Sequence, residues 1–207
     1  MSDIRNRAKE QLPSVLLTLM SIIQALALEF LWDVVRVTPR EFTWDAVLDW
    51  LQIAANMLGI LQLWLFYTSA AMRFRWVPTT QDLLFPFVIG ILEFTLIDLT
   101  SGAHMPLWFW TLAGLYALAA WDAQIVMVRA RRDSANHQFF ATVQPAGVAE
   151  LIEPAIAIGG LTAFGGAVYF VRENQLLALA GLLFAVGNLA WRLTQGRHFW
   201  NRSMQEP

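Results

Sequence analysis

The sequence predicts an all-α membrane protein with six transmembrane helices, and three observations support this prediction. First, 57% of the 207 residues are apolar and only 14% are charged, whereas soluble domains carry about 25% charged residues. Second, six stretches approach the ~20 mostly apolar residues that a helix needs to cross a bilayer. Third, the basic residues fall mostly on one side of those stretches. We expect residues 1–207 to form a single polytopic transmembrane domain.

The six predicted spans follow one another with short connections and form three sequential helical hairpins. They lie near Pro13–Val35, Val47–Met72, Leu83–Thr100, Leu107–Val128, Pro154–Val171 and Leu176–Trp191. Within the first span, Ala25-Leu26-Ala27 resembles a signal-peptide cleavage site. Because the apolar run continues beyond this triplet to Val35, we expect the first span to be retained.

The distribution of Lys and Arg tests this division, because cytoplasmic loops carry an excess of them. With six spans, 11 of the 14 basic residues fall on one side, which holds the N-terminus, the second and fourth loops and the C-terminus. They are Arg5, Arg7, Lys9, Arg73, Arg75, Arg129, Arg131, Arg132, Arg192, Arg197 and Arg202. The other side holds Arg36, Arg40 and Arg172. This distribution predicts an integral protein of the plasma (inner) membrane with both termini in the cytoplasm.

The first loop predicts an additional helical segment. Thr38-Pro39-Arg40-Glu41 matches a capping box with proline at the first helical position. A helix from Pro39 to Met72 would be about 50 Å long at 1.5 Å per residue, which exceeds the ~30 Å thickness of the hydrocarbon core. We therefore predict an interfacial helix over residues 39–50, with its aromatic side chains at the membrane surface.

Acidic residues inside the spans give the strongest indication of function. They are Glu29, Glu93, Asp98 and Asp122 at membrane depth and Asp33 near the end of the first span. A charged side chain at the bilayer centre costs about 2.5–3.5 kcal/mol. No Lys or Arg lies well inside any span, and the nearest candidate is Arg192 at the end of the sixth. We therefore expect these carboxylates to face the bundle interior, to bind protons, or to contact water or a cation.

Two polar stripes suggest where this interior lies. At spacings of three and four residues, which fall on one helical face, the first span carries Ser14, Thr18, Ser21, Ala25, Glu29 and Asp33. The second carries Asp45, Asp49, Gln52, Asn56, Gly59 and Gln62. We predict that spans one to three surround a polar path, with Glu29 and Glu93 most central and Gln52 and Asn56 along it. The structural alternative is that these groups only link helices by hydrogen bonds.

Small residues dominate one face of the last hairpin. They are Ala155, Gly159, Ala163 and Ala167 in span five, and Gly181 and Ala185 in span six. Small residues at every fourth position let helix backbones approach closely. The pattern predicts close packing, either within the chain or in a homo-oligomer, and the sequence leaves both open.

Several classes of function are not indicated. The chain has no cysteine, and it contains no HExxH, GxSxG or Walker-type motif. We therefore predict no catalytic residue, metal site or cofactor, and the net charge of −2 gives no reason to expect nucleic acid.

The function that the sequence favours is a small transport protein, a channel or carrier for protons or small cations. The alternative is a membrane scaffold or accessory subunit. In addition to the lipid bilayer, its partner would be a second copy of the chain or a larger membrane complex. A membrane enzyme that acts on lipid comes third, with Asp33 or Asp122 beside a cleft at headgroup level.

Overall fold

Six long apolar helices dominate the part of the chain that the structure describes, and each is long and apolar enough to cross a bilayer. The structure is a computed structural model that describes residues 2–77, 79–100, 104–142, 148–171 and 174–205. For residues 2, 3, 5, 142, 148–150 and 198–205 it describes the backbone alone. The helices are α1 (Ser2–Val37), α2 (Trp44–Arg73), α3 (Thr80–Asp98), α4 (Met105–Arg131), the short α5 (His137–Thr142), α6 (Val148–Phe170) and α7 (Gln175–Gln205). The prediction of an all-α chain with six apolar spans is confirmed.

The connection between α1 and α2 differs from its prediction. Residues 39–43 are not helical, so an interfacial helix that begins at Pro39 is wrong. The Thr38 hydroxyl donates to the Val34 carbonyl at 2.8 Å and so completes the last turn of α1. Thr43 has extended backbone and caps α2 instead, because its side-chain oxygen accepts from the Ala46 N–H at 3.2 Å. The residues predicted to continue the interfacial helix, 44–50, form the first turns of α2.

The helices form a ring whose neighbours are only partly those of the three hairpins. Besides the hairpin pairs α1–α2, α3–α4 and α6–α7, α2 packs extensively against α7 and α4 packs against α6, while α1 also packs against α3. Helices α2, α4 and α7 run in the same direction, because α1, α3 and α6 each return the chain to the other end. A crevice separates α2 from α4 along part of their length. This crevice belongs to the site described below.

The predicted small residues of the last two spans divide between an inner and an outer face. Gly181 and Ala185 of α7 are buried, and a Cβ atom on Gly181 would lie 3.0 Å from Phe164 of α6, so the prediction of close packing is confirmed for α7. Ala155, Gly159 and Ala163 are exposed on the outside of α6, so they do not make the close contact within the chain. Gly160 and Gly165 face inward instead, against Phe184 and Trp110 respectively. The predicted contact of the outward stripe with a second copy stays a prediction.

One end of the bundle collects most of the described basic residues, and we call it the basic end. It comprises the start of α1 and the ends of α2, α4 and α7. Asn136 joins two of these segments: its Oδ1 accepts from the Arg75 N–H at 3.1 Å, and its Nδ2 donates to the Arg75 and Ala130 carbonyls at 2.6 and 2.7 Å. Lys9 forms an ion pair with Asp133. Which side of a membrane this end faces stays a prediction.

Candidate functional site

Glu93 is one of the predicted acidic residues that the fold places in the interior. Only 3% of its surface is exposed, and Gln24 Nε2 on α1 donates to its Oε2 at 3.0 Å. Its other oxygen, Oε1, is buried and has no hydrogen-bond partner among the described residues. Glu93 also lines a void of about 10 Å³, which is at the lower limit for one water molecule. Glu93 is therefore a desolvated carboxyl group with one oxygen still open to a ligand such as a proton.

Helix α2 places a layer of amide side chains beside Glu93 of α3. Asn56 Nδ2 donates to Thr100 Oγ1 at 2.9 Å, and Asn56 Oδ1 accepts from Trp108 Nε1 at 3.2 Å. These bonds join α2 to the end of α3 and the start of α4. One turn away, Gln52 is completely buried, and neither of its amide atoms has a hydrogen-bond partner in the described structure. Each such atom costs about 1–3 kcal/mol of desolvation, so this layer is a costly polar feature of the interior.

Asp122 is the second predicted acidic residue in the interior, nearer the basic end. It is 2% exposed, and the Tyr67 hydroxyl donates to its Oδ2 at 2.6 Å. This bond joins α2 to α4 directly. Asp122 and Tyr67 also line a second void of about 10 Å³ with Trp76 and Asp82.

Sequence reasoning missed the buried Asp82 in the first turn of α3. Its Oδ2 accepts from the Thr79 N–H at 2.7 Å, which is one half of a capping box. Arg129 Nη1 on α4 lies 3.0 Å from both carboxylate oxygens, and its Nη2 donates to Gln81 Oε1 at 2.5 Å. The T-x-x-D pattern at Thr79 was the available signal. Asp82 is a neutralised structural carboxylate rather than an open one.

Two cavities lie between α2, α4 and α7 and adjoin one another. One has a volume of about 440 Å³ and reaches Arg73 and Phe74 at the basic end. The other has a volume of about 240 Å³ and extends toward the middle of the bundle at Gly59. Both are lined by Gln62, Phe66, Ala123 and Arg192. We refer to these two cavities together as the crevice.

Glu29 does not lie in the interior, so its predicted central position is wrong. The whole predicted stripe of α1, which runs from Ser14 to Asp33, is exposed. The hydroxyls of Ser14 and Thr18 donate to backbone carbonyls of α1 itself, at 2.9 and 2.8 Å, and so they need no interior partner. The face of α1 that packs inward carries Leu16, Met20, Gln24, Ala27 and Leu31. Gln24, at helical spacing among apolar residues, is the polar group that meets Glu93.

The remaining predicted positions divide in the same way. Asp33 is exposed and forms an ion pair with Arg36 one turn away. Asp98 is exposed at the end of α3. The stripe of α2 does face inward at its centre, where Gln52 and Asn56 are buried, but Asp45 at its start is exposed and accepts from Gln175 Nε2 at 3.1 Å.

Arg192 does not pair with any of the predicted acidic residues. Its Nε lies 3.8 Å from Glu153 Oε1, and its guanidinium carbon is 5.2 Å from the centre of the Tyr116 ring.

The candidate site that results from these positions consists of Glu93, its amide neighbours and the adjoining crevice. Comparisons with protein-family models, with curated proteins and with solved structures find no match to this chain.

Proposed function

We propose that this chain is a small transport protein that carries protons across a membrane, with Glu93 as the residue that binds and releases them. The observation that supports the proposal is the position of Glu93. It is a buried carboxyl group with one oxygen that lacks a hydrogen bond, close to a crevice that reaches one end of the bundle. Ionisable residues inside spans commonly form proton relays.

A thin layer of side chains separates Glu93 from the crevice. The void beside Glu93 and the 240 Å³ cavity share three lining residues, Gly59, Leu112 and Leu115. Gly59 has no side chain to block the passage. A small movement of the two leucines would join the void to the cavity, and a water molecule could then deliver a proton to Oε1.

Toward the other end of the bundle, the hydrogen bonds of Asn56 link three helices. Its amide holds Thr100 and the fully buried Trp108 together across α2, α3 and α4. Glu93 is thus one layer of side chains from the crevice on one side and has a hydrogen-bonded layer on the other. This arrangement suits a carrier with alternating access better than a continuous channel. We therefore propose a carrier.

The lining of the crevice favours protons over metal cations. Arg73 and Arg192 line it, and no Asp or Glu is among the described residues that line it. Metal cations such as Mg²⁺ and Ca²⁺ are usually held by carboxylate oxygens, which this lining does not supply. The guanidinium groups raise the barrier for a proton and for a metal cation alike, so the distinction rests on the missing carboxylates. A proton can pass along water molecules and needs no cation site in the crevice.

Proton flux in liposomes tests the proposal, with Glu93→Gln as the decisive variant and Glu29→Gln as its matched control. Both changes remove one carboxyl group and keep the shape of the side chain, but Glu93 is buried and Glu29 is exposed. A pH-sensitive dye inside the vesicles would report proton entry driven by a pH gradient. We expect Glu93→Gln to reduce the flux at least about tenfold. In enzymes, a positioned proton-transfer group contributes about 10²-fold or more to the rate, so this is a conservative expectation. Glu29→Gln should conduct like the wild type.

Three outcomes would contradict the proposal. Wild-type protein that moves no more protons than empty vesicles would exclude proton transport. A Glu93→Gln protein that is as active as the wild type would remove Glu93 from the path, and the same is true if Glu29→Gln is the variant that loses activity.

The outer surface supports a second candidate, a non-transporting scaffold or accessory subunit. Glu29 is exposed on α1 beside the apolar side chains of Phe30 and Trp32, which are also exposed. A carboxyl group in such surroundings would be satisfied by a polar group of a neighbouring membrane helix. Reproducible co-purification of one membrane protein, lost in Glu29→Leu, would favour this candidate.

A further inference from the structure

We propose that the crevice binds the head of an anionic amphiphile, a phosphate or similarly compact anionic group joined to an apolar chain, as in an anionic lipid. The proposal goes beyond proton transport, because it names a second ligand and holds whether or not protons move. It rests on the charge, the volume and the lining of the crevice.

The crevice is lined by two arginines, and one of them, Arg192, has donors without hydrogen-bond partners among the described residues. Arg73 lines the cavity at the basic end, and Arg192 lines both cavities. The Nε and Nη2 atoms of Arg192 are shielded from solvent and donate no hydrogen bond to any described residue. Its nearest carboxylate oxygen, on Glu153, is 3.8 Å away, which is beyond hydrogen-bond distance. Arg192 thus retains donors for the planar, charge-assisted hydrogen bonds that phosphate and carboxylate groups accept.

The rest of the lining is apolar and large enough for part of a hydrocarbon chain. The volumes of about 440 and 240 Å³ compare with the ~300–1,000 Å³ of typical small-molecule sites. Leu65, Phe66, Val126 and Met127 line the larger cavity, and Leu112 and Leu115 line the smaller one. A bare inorganic anion would leave most of this apolar surface without a partner, so the geometry favours an anion that carries an apolar chain.

The depth of Arg192 also fits a lipid headgroup. It lies 17 residues after the start of α7 at Gln175, which is roughly 26 Å along the helix at 1.5 Å per residue. In a hydrocarbon core of ~30 Å that position is close to the headgroup level of one leaflet. Basic pockets between transmembrane helices at this level bind anionic headgroups.

Arg73 is further along the same end of the bundle. A headgroup at Arg192 would therefore have Arg73 on the side of bulk water and the Leu112–Leu115 region on the side of the membrane centre. An amphiphile fits this order of surroundings, with its charge toward the basic end and its chain toward the interior.

Retention of lipid by the purified full chain tests the proposal. The probes are dioleoyl phosphatidic acid and, as the neutral control, dioleoyl phosphatidylcholine, added at equal concentration in detergent and counted as bound adducts by native mass spectrometry. We expect wild type to retain the anionic lipid in preference to the neutral one. Arg192→Gln should lower this retention by about tenfold, as loss of one charge-assisted hydrogen-bond partner predicts. Arg132→Gln, at an exposed position of the same end, should retain the lipid like the wild type.

A second variant tests the cavity without changing any charge. Ala123 lines both cavities, so Ala123→Phe should fill the crevice and reduce retention although every arginine remains. Ala163→Phe, at an exposed position on α6, is the matched control and should have no effect. If Arg192→Gln does not fold, this pair still decides the outcome.

Three results would overturn the proposal. The first is equal retention of the two lipids by wild type. The second is anionic-lipid retention that survives both Arg192→Gln and Ala123→Phe. The third is protection against thermal unfolding by inorganic phosphate alone that equals the protection by phosphatidic acid, because the ligand would then be a free anion without an apolar part. None of these results depends on proton flux, so the two proposals fail separately.

Discussion

Two glycines of α7 provide a stability test in which the same substitution has different expected effects. A Cβ atom on Gly181 would lie 2.7 Å from Phe109 Cζ and 3.0 Å from Phe164 Cγ, and Phe109 is completely buried. A Cβ atom on Gly187 would have no atom within 4 Å. The two changes Gly181→Ala and Gly187→Ala are therefore chemically identical, in one helix, and differ only in what the new methyl group contacts.

The expected magnitudes follow from two opposing effects. Alanine is favoured over glycine in a helix by about 1 kcal/mol, and both variants gain this. Forcing an extra carbon into a well-packed core costs about 1–3 kcal/mol, and only Gly181→Ala incurs it, because the rigid rings of Phe109 and Phe164 cannot move aside independently. Gly187→Ala should stabilise the protein by up to ~1 kcal/mol, while Gly181→Ala should be ~1–3 kcal/mol less stable than Gly187→Ala.

Thermal unfolding in one detergent, followed by helical circular dichroism, would measure this difference. A protein of this size shifts its Tm by about 2–4 °C per kcal/mol, so the two variants should differ by several degrees. If Gly181→Ala is as stable as Gly187→Ala, the packing of α7 against α4 and α6 is looser than the contacts at Gly181 imply. A Gly181→Ala, Phe109→Leu double variant should recover part of the loss, because the two sites are in direct contact.

Two further predictions concern the basic end and its orientation. Arg129→Ala removes a partner of the buried Asp82, but Thr79 still donates to that carboxylate and Arg129 is partly exposed. We therefore expect the free energy of unfolding in detergent to fall by about 2–3 kcal/mol, less than the ~3–5 kcal/mol of a fully buried pair. The exposed control Arg132→Ala should change it by no more than about 0.5 kcal/mol, and an equal loss in both variants would contradict the role of the Arg129–Asp82 pair. The chain has no native cysteine, so a single introduced cysteine reports which side of the membrane it faces. Ser134→Cys should react with an impermeant maleimide only from the cytoplasmic side, and Glu41→Cys only from the other side. The reverse pattern would overturn the predicted orientation.

The number and approximate position of the spans could be predicted because they depend on one-dimensional properties. The length of an apolar run must match the bilayer thickness, and the helices at Trp44–Arg73 and Met105–Arg131 contain the predicted runs with a few extra residues at each end. The start of α2 was predicted wrongly because two threonines, Thr38 and Thr43, both precede suitable residues. Only the three-dimensional path of the connection decides that Thr38 completes α1 and that Thr43 caps α2.

The interior face of a membrane helix is harder to predict than its length. In a soluble protein, polar residues mark the face of a helix that meets water. In a bilayer, both faces of a span meet apolar surroundings, so the position of a polar residue does not by itself show which face points inward. On α2 the polar stripe faces inward, with Asn56 bonded across the bundle. On α1 it faces outward, because hydroxyls such as that of Thr18 bond to their own helix and Asp33 pairs with Arg36. The same spacing thus gave a correct prediction in one helix and a wrong one in the next.

The crevice could not be predicted from the sequence, because it depends on which helices become neighbours. Short loops predict the hairpins α1–α2, α3–α4 and α6–α7, but nothing local predicts that α7 packs beside α2. That packing brings Arg192 to the same cavity as Arg73, from positions more than a hundred residues apart in the chain. In the sequence, Arg73 and Arg192 are each a basic residue near the end of a span, and the positive-inside distribution already accounts for them. In the fold, Arg192 lies beside a largely apolar cavity with guanidinium donors that lack hydrogen-bond partners among the described residues. A bound anion would accept from these donors, and this is the physical reason to look for one.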